Sequence, residues 1–192
     1  YLRYVPNTDH MIDDMDAYYT ALAFYQAVLN NQPLPQFSWS LQNDGSIIVN
    51  TTDTPTQVKL WQAHNPNARD FRLQTIGAAW TSSTLYTQPG GTYIAQLPIP
   101  AQGWTAFFIE LTYPSGSLQP FKFTTQISVI PDCLPYAHIV GFDNDGDIDI
   151  DDLAIMTDYW LQDAPEVDIA PTCGDGIINF LDYSLLTEEF TD

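Results

Sequence analysis

Thr105-Ala106-Phe107-Phe108-Ile109-Glu110-Leu111-Thr112 is a run of β-branched and aromatic residues. It lies between the turn formers Pro98 to Gly103 on one side and Pro114-Ser115-Gly116 on the other, so it reads as a strand. Outward from it, Ser46 to Thr51, Gln57 to Ala63, Phe71 to Thr75, Thr92 to Leu97 and Phe121 to Ile130 share its character. Between them stand Asn43-Asp44-Gly45, Thr54-Pro55, Asn65-Pro66-Asn67 and Pro89-Gly90-Gly91, and no stretch from 41 to 131 keeps a helical period. Six or seven short strands in about 90 residues predict an immunoglobulin-like β-sandwich, with the strand order left open.

The chain has 192 residues, 24 Asp+Glu against 5 Lys+Arg, and a formal net charge of −19. The charge is uneven. Residues 1–140 carry all 5 basic residues and 9 acidic ones, net −4, whereas residues 141–192 carry 15 acidic residues and no Lys or Arg, net −15. Such acidity excludes nucleic-acid and anionic-membrane binding, which both need clustered cations. With 45% apolar and 14% aromatic residues, the chain has enough apolar surface to offset the entropy of ordering, so folded domains are expected. No apolar run approaches the length of a membrane span, and no signal peptide opens the chain. It starts at Tyr1 without Met, which reads as a processed product or the C-terminal piece of a longer protein.

Residues 1–36 read as a strand (Tyr1 to Pro6), a turn (Asn7-Thr8-Asp9-His10) and a helix. The helix starts at Asp13 or Asp14, either a good N-cap, and repeats apolar residues at Met15, Tyr18, Leu22, Tyr25 and Leu29 until Asn30-Asn31, Pro33 and Pro35 stop it. One strand and one helix make no core of their own, which predicts the tail of a larger α/β domain. Residues 132–138 read as a linker into an acidic module over 139–192.

That module carries the most specific chemistry. Read as a twelve-residue calcium loop, Gly141 to Asp152 places Asp143, Asp145, Asp149 and Asp152 at positions 3, 5, 9 and 12 and Gly146 at position 6. The backbone carbonyl of Asp147 falls at position 7 and the apolar Ile148 at position 8. Only position 1 fails, because Gly141 has no side-chain oxygen. The pattern returns in Asp175-Gly176-Ile177-Ile178-Asn179-Phe180-Leu181-Asp182, with Asp175, the Ile177 carbonyl, Asn179 and Asp182 as ligands. Asp168 becomes the first ligand if an insertion falls at Pro171-Thr172-Cys173-Gly174. The expected cofactor is Ca2+ at two sites. A helix follows each loop, with Leu153, Met156, Tyr159 and Trp160 as the stripe of one and Tyr183, Leu186 and Phe190 as that of the other.

Two loop-helix units in this spacing resemble a type I dockerin. The resemblance implies a small all-α, EF-hand-like calcium module that docks onto cohesin-like domains in secreted, often polysaccharide-degrading, systems. It implies an extracellular location and a docking face at loop positions 10 and 11, here Ile150 and Asp151, and Phe180 and Leu181. Those last two residues fit a buried core as well as a partner surface. Cys133 and Cys173 are either a disulfide across the first repeat or two separate thiols.

Trp61-Gln62-Ala63, Arg69-Asp70-Phe71-Arg72, Gly91-Thr92-Tyr93, Gly103-Trp104-Thr105-Ala106-Phe107-Phe108-Ile109-Glu110 and Phe123-Thr124-Thr125 resemble the C-terminal region of the PhoPQ-activated pathogenicity-related family. The opening Tyr4-Val5-Pro6-Asn7-Thr8-Asp9-His10 resembles that family's last strand and His loop. The resemblance implies the end of an α/β-hydrolase-like domain with His10 as general base, acting on a Ser nucleophile. No Gly-x-Ser-x-Gly elbow occurs in the 192 residues, so the chain is expected to be catalytically incomplete. The expected architecture is multidomain: the α/β-hydrolase-like end, the immunoglobulin-like sandwich and the small all-α module. The expected function is calcium-dependent docking. The alternative is a carbohydrate-binding or adhesion sandwich with a calcium-stabilised spacer, for which Trp61, Trp80, Trp104 and Tyr93 form either a sugar platform or core.

Overall fold

The computed structural model describes residues 1–9, 14–132, 141–164, 167–170, 174, 176–188 and 190. Its helices are α1 (Met15–Leu29), α2 (Leu73–Ile76), α3 (Ile150–Asp158) and α4 (Phe180–Glu188). Its strands are β1 (Phe37–Leu41), β2 (Ile47–Thr51), β3 (Gln57–Asn65), β4 (Thr81–Thr84), β5 (Thr92–Ala95), β6 (Trp104–Tyr113), β7 (Phe121–Thr124) and β8 (Ser128–Ile130). The chain divides into two units, Tyr1–Asp132 and Cys133–Asp192. Among the described residues no helix is long and apolar enough to cross a membrane.

In the first unit every strand pair is antiparallel. One sheet has the order β1-β2-β5, the other β4-β3-β6-β7, with β8 also paired to β6. Side chains alternate across a strand, and one parity of β6, Phe107, Ile109, Leu111 and Tyr113, enters the core. There it meets Val58 and Leu60 of β3, Phe121 and Phe123 of β7, Ile47 and Val49 of β2, and Tyr93 and Ala95 of β5.

The other parity of β6, Ala106, Phe108, Glu110 and Thr112, is buried too. An antiparallel sheet ordinarily leaves one face to water, but here the first nine residues and the 66–80 loop cover it. Thr124 donates its N–H to the Leu2 carbonyl at 2.7 Å, and Tyr4 N–H donates to Thr124 Oγ1 at 3.0 Å. The Asn7 amide pairs both ways with the Trp80 backbone, at 2.9 and 3.0 Å. The Tyr4 and Trp80 rings lie 5.8 and 5.3 Å from Phe108. Arg3 is ion-paired with the buried Glu110 and, at 3.0 Å, with Asp16, which also holds Lys122 Nζ at 2.7 Å.

Helix α1 begins where Asp14 accepts hydrogen bonds from the N–H groups of Asp16 and Ala17, an N-cap that satisfies donors left over at a helix start. It ends at Asn30, with Asn31 left-handed at φ 50°. Its small residues Thr20, Ala23 and Ala27 are the buried ones, and they let the helix approach β7 closely. Met15, Tyr18, Leu22, Tyr25 and Leu29, the stripe of large apolar residues, are exposed.

Several expectations are corrected. The fold is not an α/β-hydrolase-like end and an all-α module on either side of a sandwich: among the described residues it is mainly two antiparallel sheets, packed about one core as a sandwich would be, with four short helices. Among the described residues every strand pair is antiparallel, and α1 contributes to the core shared by the two sheets rather than standing as a separate domain end. Residues 1–6 form no strand: the Leu2 carbonyl takes the backbone N–H of Thr124 on the outermost strand β7, while the Arg3 and Tyr4 side chains reach Glu110 and Phe108 on the face of the larger sheet. Residues 71–75 are not a strand either. The Asp70 carboxylate accepts from Arg72 N–H at 3.1 Å and Thr75 Oγ1 at 2.8 Å, turning the chain into α2. The last segment is not an all-α module, since α3 and α4, nine residues each, are its two helices among the described residues and its other described residues lie in turns, bends and irregular chain.

The second unit has its own core of Ile148, Met156, Ala164, Val167, Ile169, Ile178 and Leu186. The Leu161 N–H donates to the Ile178 carbonyl at 2.8 Å and the Ile178 N–H to the Gln162 carbonyl at 3.1 Å, tying the second loop to the chain that leaves α3.

Two predictions follow from this packing. Arg3→Met leaves Glu110 buried without its cation, and equilibrium urea unfolding should show a loss of about 3 kcal/mol. The second concerns Asp70, whose carboxyl is held below the usual carboxylate range by its hydrogen bonds to Arg72 and then Thr75. A depressed carboxyl contributes stability above the ordinary Asp value of about 4 and loses it as pH falls through the folded value. Asp70→Asn is therefore expected to unfold at lower urea than wild type at pH 7, with the gap narrowing below about pH 4.

Candidate functional site

Asp152 and Asp182 end the two acidic loops, and both are completely buried. Each carboxylate accepts backbone N–H groups with both oxygens. Asp152 Oδ1 takes Phe142 at 2.5 Å and Asp143 at 3.4 Å, and Oδ2 takes Asp149 at 2.9 Å. Asp182 Oδ1 takes Ile169 and Ala170, both at 2.8 Å, and Oδ2 takes Asn179 at 2.8 Å. The bonds to Oδ1 span 10 and 9 residues in the first loop and 13 and 12 in the second, so the second loop carries three extra residues between Ala170 and Asn179. Gly141 precedes Phe142 as Asp168 precedes Ile169, which makes the two positions equivalent. Asp168 is buried, and its Oδ2 accepts from Gly176 N–H at 2.6 Å.

The middle of the first loop is a ladder of short turns. Asp143 Oδ1 accepts from Asp145 N–H at 3.0 Å, Asp145 Oδ1 from Asp147 N–H at 3.2 Å, and Asp149 Oδ1 from Asp151 N–H at 2.8 Å. Asp149 also caps α3, in a capping box with Asp152. Asn179 caps α4 in the same way, its Oδ1 accepting from Leu181 N–H at 2.9 Å, while its Nδ2 donates to the Ile177 carbonyl at 2.9 Å. These capping roles escaped the metal-ligand reading, although Asp and Asn just ahead of an apolar stripe are the ordinary signal for them. His10, Cys133, Cys173 and Asp175 lie outside the described residues.

Like charges are crowded here. The Asp145 N–H bond lowers the Asp143 carboxyl, yet burial and the charges of Asp145 and Asp152 outweigh it and hold Asp143 above its ordinary value. Hydrogen bonds from Asp147, backbone and then side chain, pull Asp145 down, and the shared side-chain bond with Asp145 followed by its charge pushes Asp147 up. Among the described residues no three side chains of His, Cys, Asp or Glu converge into a ready-made cage. The donor set nonetheless suits a hard cation, being all oxygen and dense in carboxylates. A Cβ built on Gly141 would fall 2.6 Å from the Asp147 carbonyl oxygen and 2.8 Å from Asp152 Oδ1, so positions 1, 7 and 12 converge on one small space. Asp143, Asp145, Asp149 and Asp152 with the Asp147 carbonyl would hold an ion in the first loop. In the second, the described donors are Asp168, Asn179, Asp182 and the Ile177 carbonyl.

The residues considered for a sugar platform separate. Trp104 and Tyr93 are buried, Tyr93 in the sandwich core, whereas Trp61 and Trp80 lie on the covered face of the larger sheet beside Phe108. A polar cavity of about 670 Å³ on that face is lined by Arg3, Lys59, Trp61, Glu110 and Lys122 with the start of α1. The sequence reading missed these charged residues, and strand alternation is the signal that groups Lys59 and Trp61 with Glu110 on one face.

Comparison with known proteins places part of this chain. Residues 1–72 match the PhoPQ-activated pathogenicity-related protein family. The matched stretch takes in the opening segment, α1 and the strands up to β3, and does not reach the acidic loops. Autocrine proliferation repressor protein A of Dictyostelium discoideum is 29% identical over 172 residues, covering 77% of this chain and 35% of that protein. The chain thus spans about a third of the length of this curated relative. No solved structure matches the chain.

One substitution probes the convergence at Gly141, whose φ is +78°. Gly141→Ala adds a Cβ in the left-handed region against the Asp147 carbonyl and the Asp152 carboxylate. It should lower the stability of the second unit by about 1–3 kcal/mol, read as loss of amide-exchange protection in α3 while the strands keep theirs.

Proposed function

We propose that this chain is the C-terminal portion of a secreted, hydrolase-like protein, catalytically incomplete by itself, whose acidic loops bind calcium and dock it onto a cohesin-like partner domain. The setting would be extracellular polysaccharide breakdown. The observation that carries the reading is the matched pair Asp152 and Asp182, each buried and each bonded to backbone N–H groups at its loop's start and at the following N-cap. A surface coat of solubilising charge does not bury its carboxylates twice at equivalent places. Two calcium ions would bring the net charge of residues 141–192 from −15 to −11 and relieve the crowding around Asp143 and Asp147.

Docking is supported by what the loops leave outside. Ile150, Phe180 and Leu181, at loop positions 10 and 11, are all exposed, and the Phe180 ring rests edge-on against Trp160 at 5.1 Å. Apolar side chains held rigidly at a surface suit the centre of a protein interface. The hydrolase part is supported by the family match over residues 1–72 and by the exposed apolar stripe of α1, which a larger protein would cover. His10 would then serve as general base to a Ser carried elsewhere in that protein.

Calorimetric titration of the chain with calcium should give two bound equivalents, and Asp143→Asn with Asp145→Asn should remove the first. Equal far-ultraviolet circular dichroism and thermal midpoint in calcium and in chelator, with no heat of binding, would sink the calcium reading. With calcium bound, Phe180→Glu should weaken capture by a cohesin domain at least tenfold, and no capture by the wild-type chain would remove the docking claim. The chain alone should not hydrolyse p-nitrophenyl acetate above buffer, and hydrolysis abolished by His10→Ala would contradict its incompleteness.

A further inference from the structure

Asn50-Thr51-Thr52 spans the end of β2, and Asn50 is the one asparagine of the chain with Ser or Thr two positions on and no Pro between. That spacing is the acceptor pattern for an N-linked glycan, and because so short a pattern recurs by chance, its surroundings have to decide. Whereas the second face of the larger sheet is covered, the outer face of the smaller one is open: Ser38, Ser40 and Asn50 are exposed, and Ile48, Thr92 and Ile94 are half-buried. Asn50 stands on that face because Val49 beside it goes into the core. Thr52, the first residue after β2, is exposed as well.

The side-chain amide of Asn50 is engaged on one side. Its Oδ1 accepts from Thr92 Oγ1 across the sheet at 2.9 Å, and its Nδ2 has no hydrogen-bond partner among the described residues. The Nδ2 groups of Asn7, Asn65 and Asn179, by contrast, donate to the carbonyls of Trp80, Asp70 and Ile177. A substituent on Asn50 Nδ2 therefore costs no native hydrogen bond, and the bond to Thr92 that orients the amide stays in place. We propose that Asn50 is a glycosylation site, taking an oligosaccharide from a polyprenyl-diphosphate-linked donor. In the transfer Nδ2 bonds to the anomeric carbon of the first sugar and the bond from that carbon to the diphosphate oxygen breaks. The polyprenyl diphosphate leaves with the electron pair, and one Nδ2 proton passes to a base on the transferase. The site rests on the secretion reading above, because such donors serve chains that cross a membrane, and it does not depend on calcium or docking.

The test sends the full chain into the secretory lumen of yeast behind an added leader and reads its intact mass before and after peptide-N-glycosidase. Wild type should carry one glycan, whose enzymatic removal leaves an aspartate at position 50. Asn50→Gln and Thr52→Ala should each abolish the glycan, and Thr52→Ser should retain it. Made without the leader, all three variants should stay folded, with thermal midpoints near that of the wild type. An unmodified wild type, or a glycan that survives Asn50→Gln or Thr52→Ala, would overturn the proposal. Natural export is read separately, by looking for the chain in the medium of its own source. Absence there sinks the secretion reading and this site with it, whereas an unmodified chain from the leader experiment sinks this site alone.

Discussion

The ion pair between Arg3 and Glu110 is the contact on which the first unit depends. Glu110 sits mid-way along β6 with 3% of its side chain exposed, and a carboxylate so placed is tolerable only if a cation comes with it. Arg3 brings that cation on an opening segment that has no regular structure of its own. The same guanidinium reaches Asp16 in the first turn of α1, and Asp16 reaches Lys122 on β7. One charge network thus ties the opening segment, the first helix and two strands together. With the segment in place, Tyr4 and Trp80 close over Phe108, and part of a sheet face that would be wet is covered.

The second unit uses carboxylates in two ways. Asp152 and Asp182 accept backbone N–H groups with both oxygens of each, which closes the loop. Asp143, Asp145 and Asp147 point the other way in energy, since they repel one another and raise the cost of the apo loop. A bound cation, as proposed above, would convert that repulsion into attraction. The loops differ at Gly141 against Asp168, Asp143 against Ala170 and Asp149 against Asn179, and the second carries three additional residues.

Much of this was legible from local pattern. The Asp14 cap and the Asn-Pro stop bracket α1, the turn formers separate the strands, and Gly, Ile and Asp at fixed offsets mark both acidic loops. Two strands left no such mark. Thr81–Thr84 is polar throughout and exposed, being an edge strand held by β3, and Phe37–Leu41 lies behind Pro33 and Pro35 in sequence. The 71–75 run fails for a different reason: its composition suits a strand, but the carboxylate of Asp70 captures the backbone two residues on. Around the candidate sites, the acidic loops could be read because all their donors lie within a few residues. The polar cavity could not, because Arg3, Lys59, Glu110 and Lys122 are far apart in the chain.

What the sequence determined by itself is the identity of elements whose causes are local: a capped helix, alternating strands between turns, and two loops built on Asp and Gly. The similarity to the PhoPQ-activated pathogenicity-related family over residues 1–72 was likewise readable from residue runs. Only the tertiary structure decided which face each element buries. The large residues of α1 define its stripe, yet Thr20, Ala23 and Ala27 go inward, because a helix pressed close against a strand needs small side chains at the contact. The opening segment became a cover for the larger sheet rather than a strand, since the N–H group on the outermost strand β7 and the Glu110 carboxylate on the sheet's second face both hold it there. Periodicity describes one element at a time, and burial is a property of pairs.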